Sequence, residues 1–251
     1  MTVLLLFSLV LGAVIGSFLN VVIVRLPQGE SLVHPRSHCP ACRAPIAWFD
    51  NIPVVSFVNL RGRCRQCQAP ISWRYPLVEA TTAALFGLAA WHFGFTVELL
   101  TAWPLLAALV AITAIDLDHQ VIPDTITLPG IVAGFLASLV NPFVRWVDSL
   151  LGIAVGGGLI LIVILVSRGG MGGGDMKLCA MIGAFLGWQL AALTLFMAVI
   201  VGGVIAAVLM ITGLRKRKDR IPFGPFLAGS AAVSVFWGDA LVAWYLSGFA
   251  R

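Results

Sequence analysis

The chain is a series of long apolar runs separated by short polar ones. Residues 2–24 carry no charge over 23 positions. A helix rises about 1.5 Å per residue, so about 20 apolar residues cross a hydrocarbon core of about 30 Å. The first run is therefore long enough to cross. It is expected to be retained, because it lacks the basic start and small-residue cleavage site of a signal peptide. Runs at about 78–96, 99–116, 125–142, 149–167, 177–191, 193–214 and 223–248 read the same way. The uncharged stretch 178–214 is 37 residues long, too long for one crossing, and is divided near Gly187-Trp188-Gln189. The pattern predicts an all-α polytopic membrane protein of about eight transmembrane helices.

Residues 25–77 interrupt that pattern. They hold seven Arg, four of the five Cys, and prolines at 27, 35, 40, 45, 53, 70 and 76. Three parts are expected: a first transmembrane helix (1–24), a small polar module (25–77) and a seven-helix membrane domain (78–251). Composition agrees. Of 251 residues 60% are hydrophobic and 11% charged, with a mean hydropathy of +1.00. Soluble domains carry about 25% charged residues. A soluble enzyme, a disordered chain and a secreted disulfide scaffold are thereby excluded.

The net charge of +5 reads as topology rather than as a nucleic-acid surface. With the N-terminus outside, the inner segments are 25–77, 116–124, 168–177 and 215–222. They carry seven, no, two and five Lys/Arg, fourteen of the sixteen in the chain. Basic residues accumulate in cytoplasmic loops. Both termini are thus expected on the periplasmic side, and the polar module in the cytoplasm. The run Arg215-Lys216-Arg217-Lys218 is an inward-facing signal, with a lipid-headgroup site as the alternative. Trp91, Trp103, Trp146, Trp188 and Trp244 fall near expected outer ends, as interfacial anchors do. No internal repeat or low-complexity segment stands out, and no nucleic-acid partner is expected.

Cys39-Pro-Ala-Cys42 and Cys64-Arg-Gln-Cys67 are two CxxC knuckles with 21 residues between them. Each knuckle supplies two thiolates from one turn, and four thiolates suit tetrahedral zinc. The separation is just above the usual range for ribbons of this kind. A cytoplasmic location disfavours disulfides, and a redox pair needs no second copy. An iron centre of the same geometry stays open. His38 abuts Cys39 but is read as a neighbour only.

Ionisable groups at the edges of spans are functional candidates. Glu30, Asp50 and Asp219 lie in polar loops; Glu98, Asp148 and Asp239 fall towards the outer side; Glu79 opens the second span. Asp116, Asp118, Asp124 and Asp175 gather on the inner side. Asp124, after Pro123, is expected to cap the fourth span. Asp175 follows Gly169, Gly170, Gly172, Gly173 and Gly174, a run too glycine-rich for a stable helix. An open backbone there lines a wettable cavity; the alternative is a plain hinge with Asp175 as a cap. Two carboxylates in one low-dielectric site share a proton and suit aspartic-protease chemistry. No serine elbow, HExxH or phosphate loop competes, and Cys179 is read as packing. A cation- or proton-coupled transporter and a metal-anchored assembly platform are the other readings, the former placing its acids near the midplane.

In order along the chain come GSFLNVVIVRLP, CPAC, CRQC, RYPLVE, IDLDHQVIPD, GMGGGDMKL and IPFGPFLAG. Each is weak alone. The ordered set, spanning about residues 12–238, resembles the bacterial type IV prepilin peptidases, the leader peptidase/N-methyltransferase family of GxGD-type intramembrane aspartic proteases. The resemblance implies an inner-membrane protease that cuts the basic leader of prepilins and pseudopilins after a glycine, on the cytoplasmic side. Carried onto this sequence, the catalytic pair is Asp116 and Asp175; Asp118 and Asp124 match motif acids outside the pair. Cys39, Cys42, Cys64 and Cys67 match the family's zinc-binding cytoplasmic domain. Many members also methylate the new N-terminal amine with S-adenosylmethionine, so that activity is expected, with no donor-binding residue assigned. Two features depart from the pattern: the segment between Pro27 and Cys39 is short, and the x of GxGD is Gly173, a position often larger elsewhere.

Overall fold

The computed structural model describes residues 1–166, 171–214 and 221–249. The expected basic run Arg215–Lys218 and the first two glycines of the run, Gly169 and Gly170, lie outside the described residues. The described residues form eight α-helices in order: α1 Thr2–Arg25, α2 Val55–Asn59, α3 Arg74–Phe93, α4 Val97–His119, α5 Asp124–Ser138, α6 Trp146–Val166, α7 Gly173–Ile211 and α8 Gly224–Phe249. Among the described residues there is no strand, only the isolated bridges His38–Pro45 and Arg63–Pro70. The protein is all-helical. Its chain forms two compact units, Met1–Leu99 and Leu100–Arg251.

In the first unit α1 packs along α3. Their backbones come close because Gly16 has no side chain: a Cβ there would lie 2.7 Å from the Cα of Glu79. Small residues serve this purpose in membrane helix pairs, where packing rather than water exclusion drives association. The buried Asn20 Nδ2 donates to the Tyr75 carbonyl at 3.1 Å. Buried Arg25 ends α1 and donates to the carbonyls of Ser31 (2.9 Å) and Pro35 (2.7 Å), which folds the polar insert back onto the helix end. Asp50 is not simply solvated: Arg65 grips it with two bonds of 2.8 and 2.6 Å, and the guanidinium holds its carboxyl below the usual carboxylate range.

Glu79 differs from its expected place at a helix start. It lies five residues into α3, is buried, and accepts the Val54 N–H at 2.7 Å.

In the second unit α7 is the hub, packed by α5, α6 and α8. Gly152 of α6 and Gly183 of α7 meet backbone to backbone, so neither site has room for a side chain. Ser149 Oγ donates to the Ala184 carbonyl at 2.7 Å beside them, and Thr194 and Ser234 hydroxyls pair at 2.8 Å between α7 and α8. Leu105, Leu109, Ile112, Ile160, Leu178, Met181, Ile182 and Leu227 form the core. Leu161, Ile162, Val199, Val204 and Trp244 face outwards. Such an exterior suits lipid, not water.

Among the described residues five helices are long and apolar enough to cross a membrane: α1, α4, α6, α7 and α8. Eight crossings were expected, and three elements account for the difference. The 15-residue α5 is about 22 Å long at 1.5 Å per residue, short of the hydrocarbon core. The 20-residue α3 begins with Arg74 and contains Glu79 and His92, which dilute its apolar character. Helix α7 has 39 residues, and Gly187 breaks it with φ 80° and ψ 174°, at the point where the sequence pattern divides it.

Candidate active site and metal site

Asp116 lies in the last turn of α4 and is 5% exposed, at the end of an apolar stripe through Leu105, Leu109, Ile112 and Ile115. Its Oδ2 accepts the backbone N–H of Gly224 at 2.9 Å. Gly224 is the first residue of α8, so the carboxylate sits at the positive end of that helix. A Cβ at position 224 would lie 2.6 Å from the same oxygen. Only glycine lets the N–H reach Asp116.

Asp175 has a parallel arrangement at the head of α7. Its Oδ2 accepts the N–H of Gly172, the residue capping that helix, at 3.2 Å, and its own N–H donates to the Gly172 carbonyl. The helix begins at Gly173, so the glycine run is not open up to Asp175 as expected; the last two glycines are already helical. Packing explains one of them. A Cβ on Gly174 would lie 2.9 Å from that of Ile122, in the loop between α4 and α5, so glycine lets α7 start hard against this loop. A Cβ on Gly173 would meet nothing within 4 Å, so the variable x position needs no glycine.

Each acid is thus received by a glycine N–H at a helix N-terminus, and Asp116 is near enough to act on Asp175 as a charge. Helix heads of this kind favour negative charge, so each carboxyl stands where its ionised form is tolerated in an apolar surround.

The remaining candidates separate. Asp118 and His119 are exposed on the last turn of α4. Asp124 does not cap α5; Pro123 holds that position, and the Asp124 carboxylate takes Lys177 Nζ at 2.6 Å instead. This ion pair ties the α4–α5 loop to the α7 turn that carries Asp175. Cys179 is fully buried as packing, one turn below. Sequence reasoning assigned no role to Gly224 or Lys177, although both lie in the quoted motifs.

The four insert cysteines converge. Their Sγ atoms all lie within 4.8 Å of one another, and Cys39 and Cys67 are 3.8 Å apart. Zn–S bonds of about 2.3 Å put tetrahedral sulfurs about 3.8 Å apart, so the cluster can hold a metal ion of that size. No disulfide forms among them. The N–H groups of Cys42 and Ala41 point at Cys39 and hold its thiol down to about 6. The two knuckles share one backbone: Cys39 N donates to Ala44 O and Cys64 N to Ala69 O, both at 2.9 Å, with Arg43 (φ 58°) and Gln68 (φ 57°) in matching positions. A short repeat, Cys-x-x-Cys-x-Ala-Pro at 39–45 and 64–70, underlies this and extends the pattern beyond the CxxC pairs. His38 bonds locally to the Arg36 carbonyl and is no part of the cluster.

Residues 103–207, which include both acids, match the type IV leader peptidase family, and residues 10–93 match the bacterial peptidase A24 N-terminal domain. The chain belongs to the type IV leader peptidase family. Among its relatives is the prepilin leader peptidase/N-methyltransferase of Pseudomonas aeruginosa, 37% identical over 272 residues and covering 95% of this chain and 92% of that one. The protein of the same name from Aeromonas hydrophila is 41% identical over 279 residues, covering 97% and 94%. That from Bacillus subtilis is 33% identical over 240 residues, covering 94% and 96%. No solved structure matches the chain. Family membership together with the five apolar helices makes this a multi-pass inner-membrane protein.

Proposed function

We propose that this protein is a prepilin leader peptidase that removes the basic leader of prepilins and pseudopilins at the cytoplasmic membrane face, with Asp116 and Asp175 as its catalytic pair. The observation that carries the reading is the placement of these two carboxylates, each bonded to a glycine N–H at a helix head and within electrostatic reach of the other. In the working state one carboxylate is ionised and the other protonated. The ionised member takes a proton from water as the water attacks the scissile carbonyl; the protonated member hydrogen-bonds the carbonyl oxygen. The roles exchange when the amine leaves. Gly224 and Gly172 keep each acid aimed through the cycle. Membership of the type IV leader peptidase family supports the peptidase over the transporter reading, which would place its acids near the membrane midplane.

On this reading residues 25–77 are a cytoplasmic zinc module between the first helix, 1–24, and the membrane catalytic part, 78–251, with both termini outside. The ligands are Cys39, Cys42, Cys64 and Cys67; the metal stands in for the core that so short a segment cannot build. The relatives' name extends the reading to N-methylation; by the family resemblance the group methylated is the new N-terminus and S-adenosylmethionine supplies the methyl group.

The test is processing of a prepilin by the purified chain in lipid. Asp116→Asn and Asp175→Asn should each abolish leader removal while thermal midpoints stay near that of the parent. Full processing by either variant refutes the pair.

A further inference from the structure

The first unit contains a buried carboxylate that the peptidase chemistry does not use. Glu79 is 8% exposed, and its Oε2 accepts the Val54 N–H at 2.7 Å. The Ser17 hydroxyl is its other partner. Among the described residues no cationic side chain pairs with it. One turn earlier on the same face of α3 is Tyr75, whose carbonyl receives Asn20 Nδ2. Asn20 is 3% exposed, and its Oδ1 has no hydrogen-bond partner. A carboxylate without a counter-charge and an orphaned carbonyl oxygen therefore lie within about one turn of each other, between α1 and α3.

Burying either group is costly unless something answers it. Both are acceptors, so what answers them is a donor, and the net negative charge asks for a cation. A metal is disfavoured, since magnesium and calcium want about six oxygens and Glu79 and Asn20 offer few. An ammonium group fits: it has three N–H donors and one positive charge. The backbone that meets the carboxylate belongs to half-exposed Val54, in the polar insert. Val54 holds φ 60°, ψ −47°, the centre of a γ-turn closed by the Val55 N–H on the Pro53 carbonyl at 2.6 Å, a strained conformation that a β-branched residue rarely adopts.

We propose that Glu79 and Asn20 form a binding site for a primary ammonium group, the N-terminal amine that leader removal exposes. The inference rests on the N-methylation reading of this chain. Before its nitrogen can accept a methyl group, the ammonium must lose a proton; the N–H bond breaks and an O–H bond forms on Glu79. The freed lone pair then takes the methyl from the sulfonium donor, whose C–S electrons remain on sulfur, and Glu79 returns its proton to water.

The test uses the full chain in lipid nanodiscs without methyl donor. The probes are a short synthetic peptide with a free α-amine and its N-acetylated twin. The parent should bind the free amine at least ~10-fold more tightly, the scale of a charged hydrogen bond. Glu79→Gln, which can still accept from Val54, should remove that preference. Asn20→Leu, similar in shape, should reduce it, and it serves as the readout if Glu79→Gln does not fold. Metal content and thermal midpoint report folding. Equal binding of both peptides by the parent, or an undiminished preference in a folded Glu79→Gln variant, overturns the site. The methylation reading is judged separately: a parent chain that leaves processed pilin unmethylated with donor present refutes that reading, whatever the binding result.

Discussion

At the scale of single residues, the proposed chemistry depends as much on missing side chains as on present ones. Asp116 and Asp175 stood out as candidates because a charge in an apolar run is conspicuous. Gly224 was not, because what it supplies is a backbone N–H, which almost every residue has. Its value comes from having no Cβ in front of Asp116. Gly224→Ala should therefore slow cleavage by about 10- to 100-fold, the cost of losing a hydrogen bond to a charged group, with little change in the affinity for uncleaved substrate. Steady-state kinetics on a prepilin would show it as a fall in kcat at nearly constant KM. An unchanged kcat would mean that the N–H does not orient the acid.

At the scale of elements, local rules were overridden in two places. Asp124 follows a proline at a helix start, where capping is the local expectation, yet it pairs with Lys177 from 53 residues away. Such a pairing has no signature in sequence, because it depends on α7 starting against the α4–α5 loop. The pair is partly exposed and should contribute under about 1 kcal/mol of stability. Its effect on rate should be larger, since it braces the turn bearing Asp175. Lys177→Met should lower kcat several-fold with a thermal midpoint within a few degrees of the parent, and the exchange Asp124→Lys with Lys177→Asp should recover part of the loss. Helix α7 shows the opposite case, where local chemistry prevailed. Gly187 adopts a backbone conformation that other residues rarely take, so Gly187→Ala should cost about 1–3 kcal/mol, seen as a lower thermal midpoint in detergent.

At the scale of the whole molecule, two expectations concern assembly in the membrane. Elemental analysis of chain purified without chelator should find one zinc per molecule. Replacing Cys39 and Cys64 by serine should release it and leave residues 25–77 sensitive to protease. The second expectation is topology. Eight crossings with the N-terminus outside put Gln120 in the cytoplasm and Asn141 in the periplasm. Compartment-specific reporters fused at these two positions should read inside and outside; the reverse pattern would invert the orientation, and two readings on one side would remove the α5 crossing.

Sequence alone determined the class of this protein, because hydrophobic run length, charge placement and thiol spacing are properties of the chain whatever its shape. All-α architecture, the two CxxC knuckles, the acid candidates and the break at Gly187 followed from them. Tertiary structure alone decided what meets what: Asp116 against the head of α8, Asp124 on Lys177, Glu79 beneath Val54, and two knuckles closing on one point. Those pairings join residues 25 to 108 positions apart. Each depends on how helices pack in space, and single-chain periodicity carries no record of which distant turn will lie opposite.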